Sequence, residues 1–326
     1  MLTMWQQCPA KYHLRKLGWT TRRRSGALSF GGALHEGLAE WYRTGSGEKA
    51  LMKIGEVWPE SAPADDYRNK QKCLTVMLEY MKVYGHEPFK VVMAGDKPLI
   101  EVAFTLDTGM YLDCIGYKVG ENPDGSSRWE LGCGWRWSED GFRYSPTHGE
   151  DNICPKCGHE LEPIEYGGIM DGVVEFGPQI YVLEHKSTSQ LGPTYFNQFK
   201  PNNQVTGYVW AGGVMSGKRA GGAIINAIGV YKAGATKFER KPTSRSDAEI
   251  AEWLENVRRE CNAIRRCEVT GEYAMRTTAC TMYGLCEYHS VHTLPPGTAR
   301  ERRLEQDYVK EHWDYERRDA EVSGTA

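Results

Sequence analysis

The chain has 326 residues, 40% of them hydrophobic and 25% charged, so it can bury a sizeable core and is too apolar for a disordered chain. A net charge of −3 gives no whole-molecule attraction to nucleic acid, which leaves local basic patches as the route to such a partner. No run of about 18 apolar residues is present to span a membrane and no signal-type stretch opens the chain, so an intracellular, cytoplasmic protein is expected, and its 10 cysteines read as metal ligands or buried thiols.

Residues 3–17 place Trp5, Cys8, Tyr12 and Leu17 on one helical stripe. Lys11, Arg15, Lys16, Arg22, Arg23 and Arg24 concentrate positive charge there, either a solvated helix face or a phosphate contact. Residues 27–43 form an amphipathic helix with Leu34, Leu38 and Trp41 together and His35 to one side. Two further helices are expected over 47–85, divided near Pro59 to Pro63, with Cys73 in the core of the second. Short β-type runs follow at 90–93, 99–105 and 110–117.

Residues 120–166 interrupt that pattern with Gly, Trp, Pro and charge, and carry Cys133, His148 and Cys154-Pro-Lys-Cys157-Gly-His159. The Cys-Pro-x-Cys-Gly run looks like a zinc knuckle, whose tight turn aims backbone amides at thiolate sulfurs. A closed zinc site needs four ligands: Cys133, Cys154 and Cys157, with His148 first for the fourth and His159 and Cys114 as competitors. A segment so poor in aliphatic residues lacks a core of its own, which favours metal over free thiols.

The centre of the chain is residues 169–189, two apolar β-runs joined at Gly177-Pro178. A two-residue connection with Gly first fits a type II′ hairpin, and counting back from Phe176 and Gln179 sets Asp171 opposite Glu184 on one face, with Lys186 beside it. Two carboxylates about 5 Å apart repel unless a cation lies between them, and magnesium or manganese is the economical one. A nearby Lys can orient an attacking water.

This Asp-x12-Glu-x-Lys pattern, flanked by Gly168 and Gly172, resembles the core motif of the PD-(D/E)XK nuclease superfamily. Gln204-Val-Thr-Gly-Tyr208 is similar to the Gln-x-x-x-Tyr helix of its RecB-like branch, and Phe30-Gly-Gly-Ala-Leu-His35 to the helix that brings a histidine to the metal. The resemblance implies an α/β core, a mixed central sheet flanked by helices. It implies Mg²⁺ or Mn²⁺ held by His35, Asp171, Glu184 and the backbone carbonyl of His185, Lys186 positioning water, and Gln204 and Tyr208 holding the strand. Some RecB-like nucleases, of the AddB type and among CRISPR adaptation nucleases, carry a [4Fe-4S] cluster on one early and three late cysteines. Cys8, Cys280 and Cys286 match that layout, with His292 where a third late cysteine would stand and Cys267 or Cys261 as alternatives. Such a cluster would staple the first helix to the C-terminal segment.

After the hairpin, a helix is expected over 198–215, a strand over 220–231, and a long helix over 246–268 opened by a Ser246/Glu249 capping box. Residues 300–318 are charged and helical in pattern. The expected organisation is 1–119 as N-terminal helices and first strands, 120–166 as the zinc-knuckle insertion, 167–268 as the catalytic hairpin and remaining core, and 269–326 as the Cys-containing tail. The expected activity is DNA hydrolysis by an exonuclease on single strands or duplex ends, in recombination or repair, with a recombination or helicase partner and no membrane. A sequence-specific endonuclease and a non-catalytic DNA-binding scaffold are the rival readings.

Overall fold

In the computed structural model, which describes residues 2–21, 26–59, 67–122, 127–136, 152–282 and 284–311, these patterns become regular elements. In chain order they are helices α1 (Leu2–Gln7) and α2 (Pro9–Lys16), strand β1 (Trp19–Thr21), and helices α3 (Gly26–Thr44), α4 (Gly47–Val57) and α5 (Lys70–Val83). Strands β2 (Lys90–Val91), β3 (Met93–Ala94), β4 (Lys97–Pro98), β5 (Ile100–Tyr111), β6 (Gly116–Glu121), β7 (Ser127–Leu131), β8 (Pro163–Phe176) and β9 (Gln179–Thr188) follow. Helix α6 (Asn203–Ser216), strands β10 (Ala220–Gly229) and β11 (Lys237–Ser244), helices α7 (Asp247–Thr270), α8 (His289–His292) and α9 (Thr298–Asp307), and strand β12 (Tyr308–Lys310) complete the chain. They divide into two compact units: Met1–Arg22, Thr105–Gly167 and Ala251–Arg318 form one, and Arg23–Phe104, Gly168–Ile250 and Asp319–Ala326 the other.

The second unit is organised by the β8–β9 hairpin. Its ladder runs antiparallel from Phe176↔Gln179 to Gly172↔Leu183. Gly177 takes φ 59°, which glycine adopts without a Cβ clash, and Pro178 supplies the negative φ of a type II′ turn. β9 pairs in parallel with β10 through the α6 crossover, and β10 pairs antiparallel with β11. On its other side β8 meets β2 and β5, giving a mixed six-stranded sheet.

Helices cover both faces of this sheet. α6 approaches closely enough that a Cβ on Gly212 would lie 2.9 Å from Val182, so glycine is required at that contact. On the opposite face Val174 and Leu183 pack with Phe89 and with Tyr42 of α3. The stripe Phe30, Leu34 and Leu38 of α3 is fully buried with Ile54, Met77 and Ile228. Each such side chain contributes roughly 1.5–3 kcal/mol by leaving water. Ser46, Asn69 and Asn202 cap α4, α5 and α6, each accepting a hydrogen bond from the backbone N–H three residues on.

In the first unit, β1 pairs with β12, and Trp5 of α1 donates its indole N–H to Glu260 of α7 at 2.7 Å. α7 buries Arg258, Asn262 and Arg265, which is unusual for a helix and is compensated by partners. Arg258 forms an ion pair with Asp113 at 2.9 Å, Asn262 Oδ1 accepts from the Asp113 N–H, and Arg265 reaches Glu162 at 2.5 Å.

Several elements differ from expectation for local reasons. The N-terminal helix splits at Cys8-Pro9, where proline lacks the amide that would continue the ladder. Residues 110–117 are not one strand: β5 ends at Tyr111, and Gly116–Glu121 pairs instead with Ser127–Leu131. The helix expected from residue 198 starts at Asn203, because a 3-10 turn occupies Tyr195–Phe199 and Asn202 supplies the cap. β11 was not anticipated, its alternation of Lys, Glu and Lys reading as polar when it is the exposed edge of the sheet. The charged C-terminal helix ends at Asp307, and residues beyond 311 lie outside those described. Among the described residues no helix is long and apolar enough to cross a membrane.

Candidate active site

The hairpin ladder ends at Gly172↔Leu183; Asp171 on β8 and Glu184 on β9 come directly after that pair, near enough for the Asp171 charge to act on Glu184. Asp171 is held at both oxygens. Oδ1 lies 3.0 Å from Nδ1 of His35, delivered by α3 from beside its buried stripe, and Oδ2 accepts the His185 backbone N–H at 2.6 Å. Glu184 is 2% exposed; its Oε1 lies 2.5 Å from the Lys186 ammonium, while its Oε2 is buried with no partner among the described residues.

The electrostatics separate the two acids. Burial, then the nearby Asp171, push Glu184 up to about 7 against the pull of Lys186. Burial also opposes the charge on Asp171, but the adjacent His35 overrides it and holds that carboxyl well below the usual range. For His35 burial works against the charge, yet Asp171 raises it to about 9. Burial alone would lower Lys186, but Glu184 and Asp171 keep it raised and charged.

An unpaired carboxylate oxygen in a buried site costs on the order of 1–3 kcal/mol or more unless something cationic reaches it. The donor set, carboxylate oxygens with one imidazole, suits a hard divalent ion such as Mg²⁺ or Mn²⁺. Among the described residues, the ligand atoms that gather within 4.8 Å of one another are those of His35, Asp171 and Glu101, and this set fits the divalent metal that the hairpin pattern implied.

Gln204 and Tyr208 do lie on one face of α6, but their polar ends are already engaged. Gln204 accepts from Lys186 Nζ at 3.3 Å and donates to the Tyr208 hydroxyl at 3.2 Å. Tyr208 is buried against Phe104. Both are thus linked to Lys186 through one hydrogen-bonded chain.

Two features went unforeseen. Glu101 on β5 has ligand atoms within 4.8 Å of those of His35 and Asp171, and it is the only described non-glycine residue with positive φ, at 46°. Strain of that kind costs about 1–3 kcal/mol and persists where surroundings demand it. A charge within the apolar run 99–104 was the signal available. The other is a buried network beneath His185: Asn226 donates to His185 Nδ1 at 2.6 Å and to the Tyr80 hydroxyl at 2.9 Å, and Arg240 bridges Asn226 and Glu87. Burial holds His185 down to about 3, so it is neutral with its proton on Nε2.

The cysteine expectations resolve differently. Cys114, Cys133, Cys154 and Cys157 come together with all four sulfurs within 4.8 Å. Cys114 thus stands in the fourth place first given to His148, which lies outside the described residues. His159 instead stacks on Tyr117 at 4.1 Å. Cys8 accepts the Arg276 N–H, and Cys286 and Cys280 share a backbone hydrogen bond at 2.8 Å. His292 lies in α8, and Cys261 and Cys267 lie in α7. Of the basic N-terminal group, Lys11 and Lys16 pair with Glu287 and Glu268, and Arg22, Arg23 and Arg24 lie outside the described residues.

No curated protein matches this sequence. The sequence profile of the PD-(D/E)XK nuclease superfamily matches residues 2–291, nearly the whole chain and every residue of the site just described. With that match over most of its length, the chain belongs to the PD-(D/E)XK nuclease superfamily, which implies a metal-dependent nuclease acting on DNA.

Proposed function

We propose that the protein is a Mg²⁺- or Mn²⁺-dependent deoxyribonuclease of the RecB-like type, an exonuclease working on DNA ends in recombination or repair. The observation that carries this reading is Glu184 Oε2, without a partner among the described residues and buried near an anchored Asp171 and a charged Lys186.

Asp171, Glu184, His35 and the His185 carbonyl would hold the ion, with Glu101 in reach. When bound, a divalent metal supplies Lewis-acid stabilisation of the phosphoryl oxygens and lowers the pKa of a coordinated water. Lys186 donates a hydrogen bond that orients the water and offsets charge developing on the phosphate. Gln204 and Tyr208 set the direction of that ammonium. His185, locked by Asn226 and stacked on Tyr42 at 5.7 Å, keeps its main chain in place.

The iron-sulfur reading stays with Cys8, Cys280 and Cys286. Cubane thiolates sit about 6 Å apart because each caps a different iron, so such a site would not draw sulfurs into contact. The approach of Cys8 to Arg276, four residues before Cys280, supports it. A recombination or helicase partner and a cytoplasmic location belong to the same reading.

The test is incubation of the purified chain with end-labelled linear and closed circular DNA, with Mg²⁺, Mn²⁺ or EDTA. Metal-dependent loss of linear DNA with the circle intact is expected. Cutting of the circle would indicate an endonuclease. No cutting of either would leave a DNA-binding scaffold, and cutting unchanged in Lys186→Ala would overturn the catalytic assignment.

A further inference from the structure

Outside the active site, the densest group of metal-binding side chains is the thiol tetrad of the first unit. Cys114 and Cys157 have sulfurs 3.6 Å apart, and Cys133 and Cys154 3.5 Å apart. These residues come from three stretches of chain: the segment after β5, the segment after β7, and the turn before β8.

Three alternatives can be weighed by distance. A disulfide needs sulfurs about 2.05 Å apart, and both separations are far longer. A cubane iron-sulfur cluster spreads its four thiolates to about 6 Å, and all four sulfurs here lie within 4.8 Å of one another. A single tetrahedral ion with metal-sulfur bonds of about 2.3 Å sets its ligands about 3.8 Å apart, close to the 3.6 and 3.5 Å of the two pairs and inside the 4.8 Å that bounds all four.

The backbone is arranged for the same purpose. Cys133 and Cys157 are each followed by a glycine in the left-handed region, Gly134 at φ 78° and Gly158 at φ 74°. Such turns fold the chain back over the sulfur: Gly158 N–H bonds the Cys154 carbonyl at 2.8 Å, and Gly134 N–H the Cys114 carbonyl at 2.9 Å. Lys156 ties the two loops by donating to the Cys133 carbonyl at 3.0 Å. A Cβ on Gly132 would lie 2.2 Å from the Cys114 carbonyl oxygen, so the loops could not approach this closely with any other residue there.

Among the described residues the local apolar core is small: Cys114, Cys154 and Leu161 are buried, Tyr111, Cys133 and Trp135 pack partly buried against them, and three of these six are thiols. Nothing in that cluster would hold three chain segments together by hydrophobic burial alone. Four protein ligands also leave no open coordination position, which marks a structural ion.

We propose that Cys114, Cys133, Cys154 and Cys157 bind one zinc ion as a closed tetrathiolate site that fixes residues 112–122, 127–136 and 152–161. The site is separate from the nuclease reading and stands whether or not the chain cuts DNA.

The test is metal analysis of the full chain, wild type and variants. About one zinc per chain is expected, kept in Cys8→Ala/Cys280→Ala/Cys286→Ala and lost in Cys154→Ser and in Cys133→Ser. Because these serine variants can misfold, wild type is also exchanged into Co²⁺. A tetrahedral tetrathiolate spectrum, with hydrogen exchange in 112–122, 127–136 and 152–161 accelerating when the ion is stripped by a mercurial, supports the site. Zinc retained in both serine variants, iron in place of zinc at the tetrad, or no metal with four freely titrating thiols would overturn it.

Discussion

Asp171 and Glu184 come directly after the last pair of one hairpin ladder, yet only Asp171 is anchored at both oxygens, by His35 and the His185 amide, while Glu184 keeps one oxygen on Lys186 and the other on no described residue. The two carboxylates therefore titrate in opposite directions, and the metal-free protein carries an internal electrostatic cost.

Removing that cost predicts a stabilised but inactive variant. Glu184 has its folded pKa raised to about 7, so its favourable contribution is present at low pH and lost as pH rises toward and through 7. Glu184→Gln is expected to raise metal-free stability at pH 8 by about 1–3 kcal/mol, with little gain at pH 4, and to abolish metal-stimulated cleavage. Urea denaturation in EDTA at the two pH values checks the first part. A variant less stable than wild type at pH 8 would show that Glu184 is satisfied without an ion.

The His35–Asp171 pair stabilises between two pH limits. His35 is raised to about 9, so its contribution is full below about 6.5 and disappears as pH climbs through 9; Asp171 is depressed, and its share is lost only in acid. His35→Gln should cost on the order of 2 kcal/mol at pH 6 and much less at pH 10, read as the difference in denaturation midpoints with wild type.

Lys186 and Gln204 should separate in kinetics. Loss of Lys186 to Ala lowers kcat by about 10²–10⁴-fold without weakening Mn²⁺ binding measured by calorimetry. Gln204→Ala, acting through Lys186, lowers kcat with KM for DNA nearly unchanged. A rise in KM with kcat preserved would instead assign Gln204 to direct contact with the strand.

Glu101 should influence the metal rather than the water. Glu101→Gln is expected to raise the Mn²⁺ concentration giving half-maximal thermal stabilisation about tenfold or more, without shifting the metal-free midpoint appreciably. Equal Mn²⁺ response in variant and wild type would exclude it from the site.

Much of this was visible beforehand, for reasons that differ by residue. Asp171, Glu184 and Lys186 were placed together by local rules, because a two-residue Gly-Pro turn leaves one register and period-two alternation then assigns the faces. Periodicity put His35 beside an apolar stripe, and only the family resemblance put it beside Asp171, since helix docking depends on how Gly37 lets α3 meet Ile54 and how α3 meets the sheet. Glu101 escaped notice because a lone acid in a strand carries no register without its partner strand.

The amino-acid pattern by itself determined the α/β class, the central hairpin and the cysteine-rich insertion, since each follows from short-range periodicity and turn chemistry. Only tertiary packing decided that Gln204 and Tyr208 are linked to Lys186 through hydrogen bonds, that β1 pairs with β12, and that Cys114 joins the other three thiols. Those outcomes depend on segments far apart in the chain, whose encounter is set by core packing and close backbone approach rather than by any neighbouring residue.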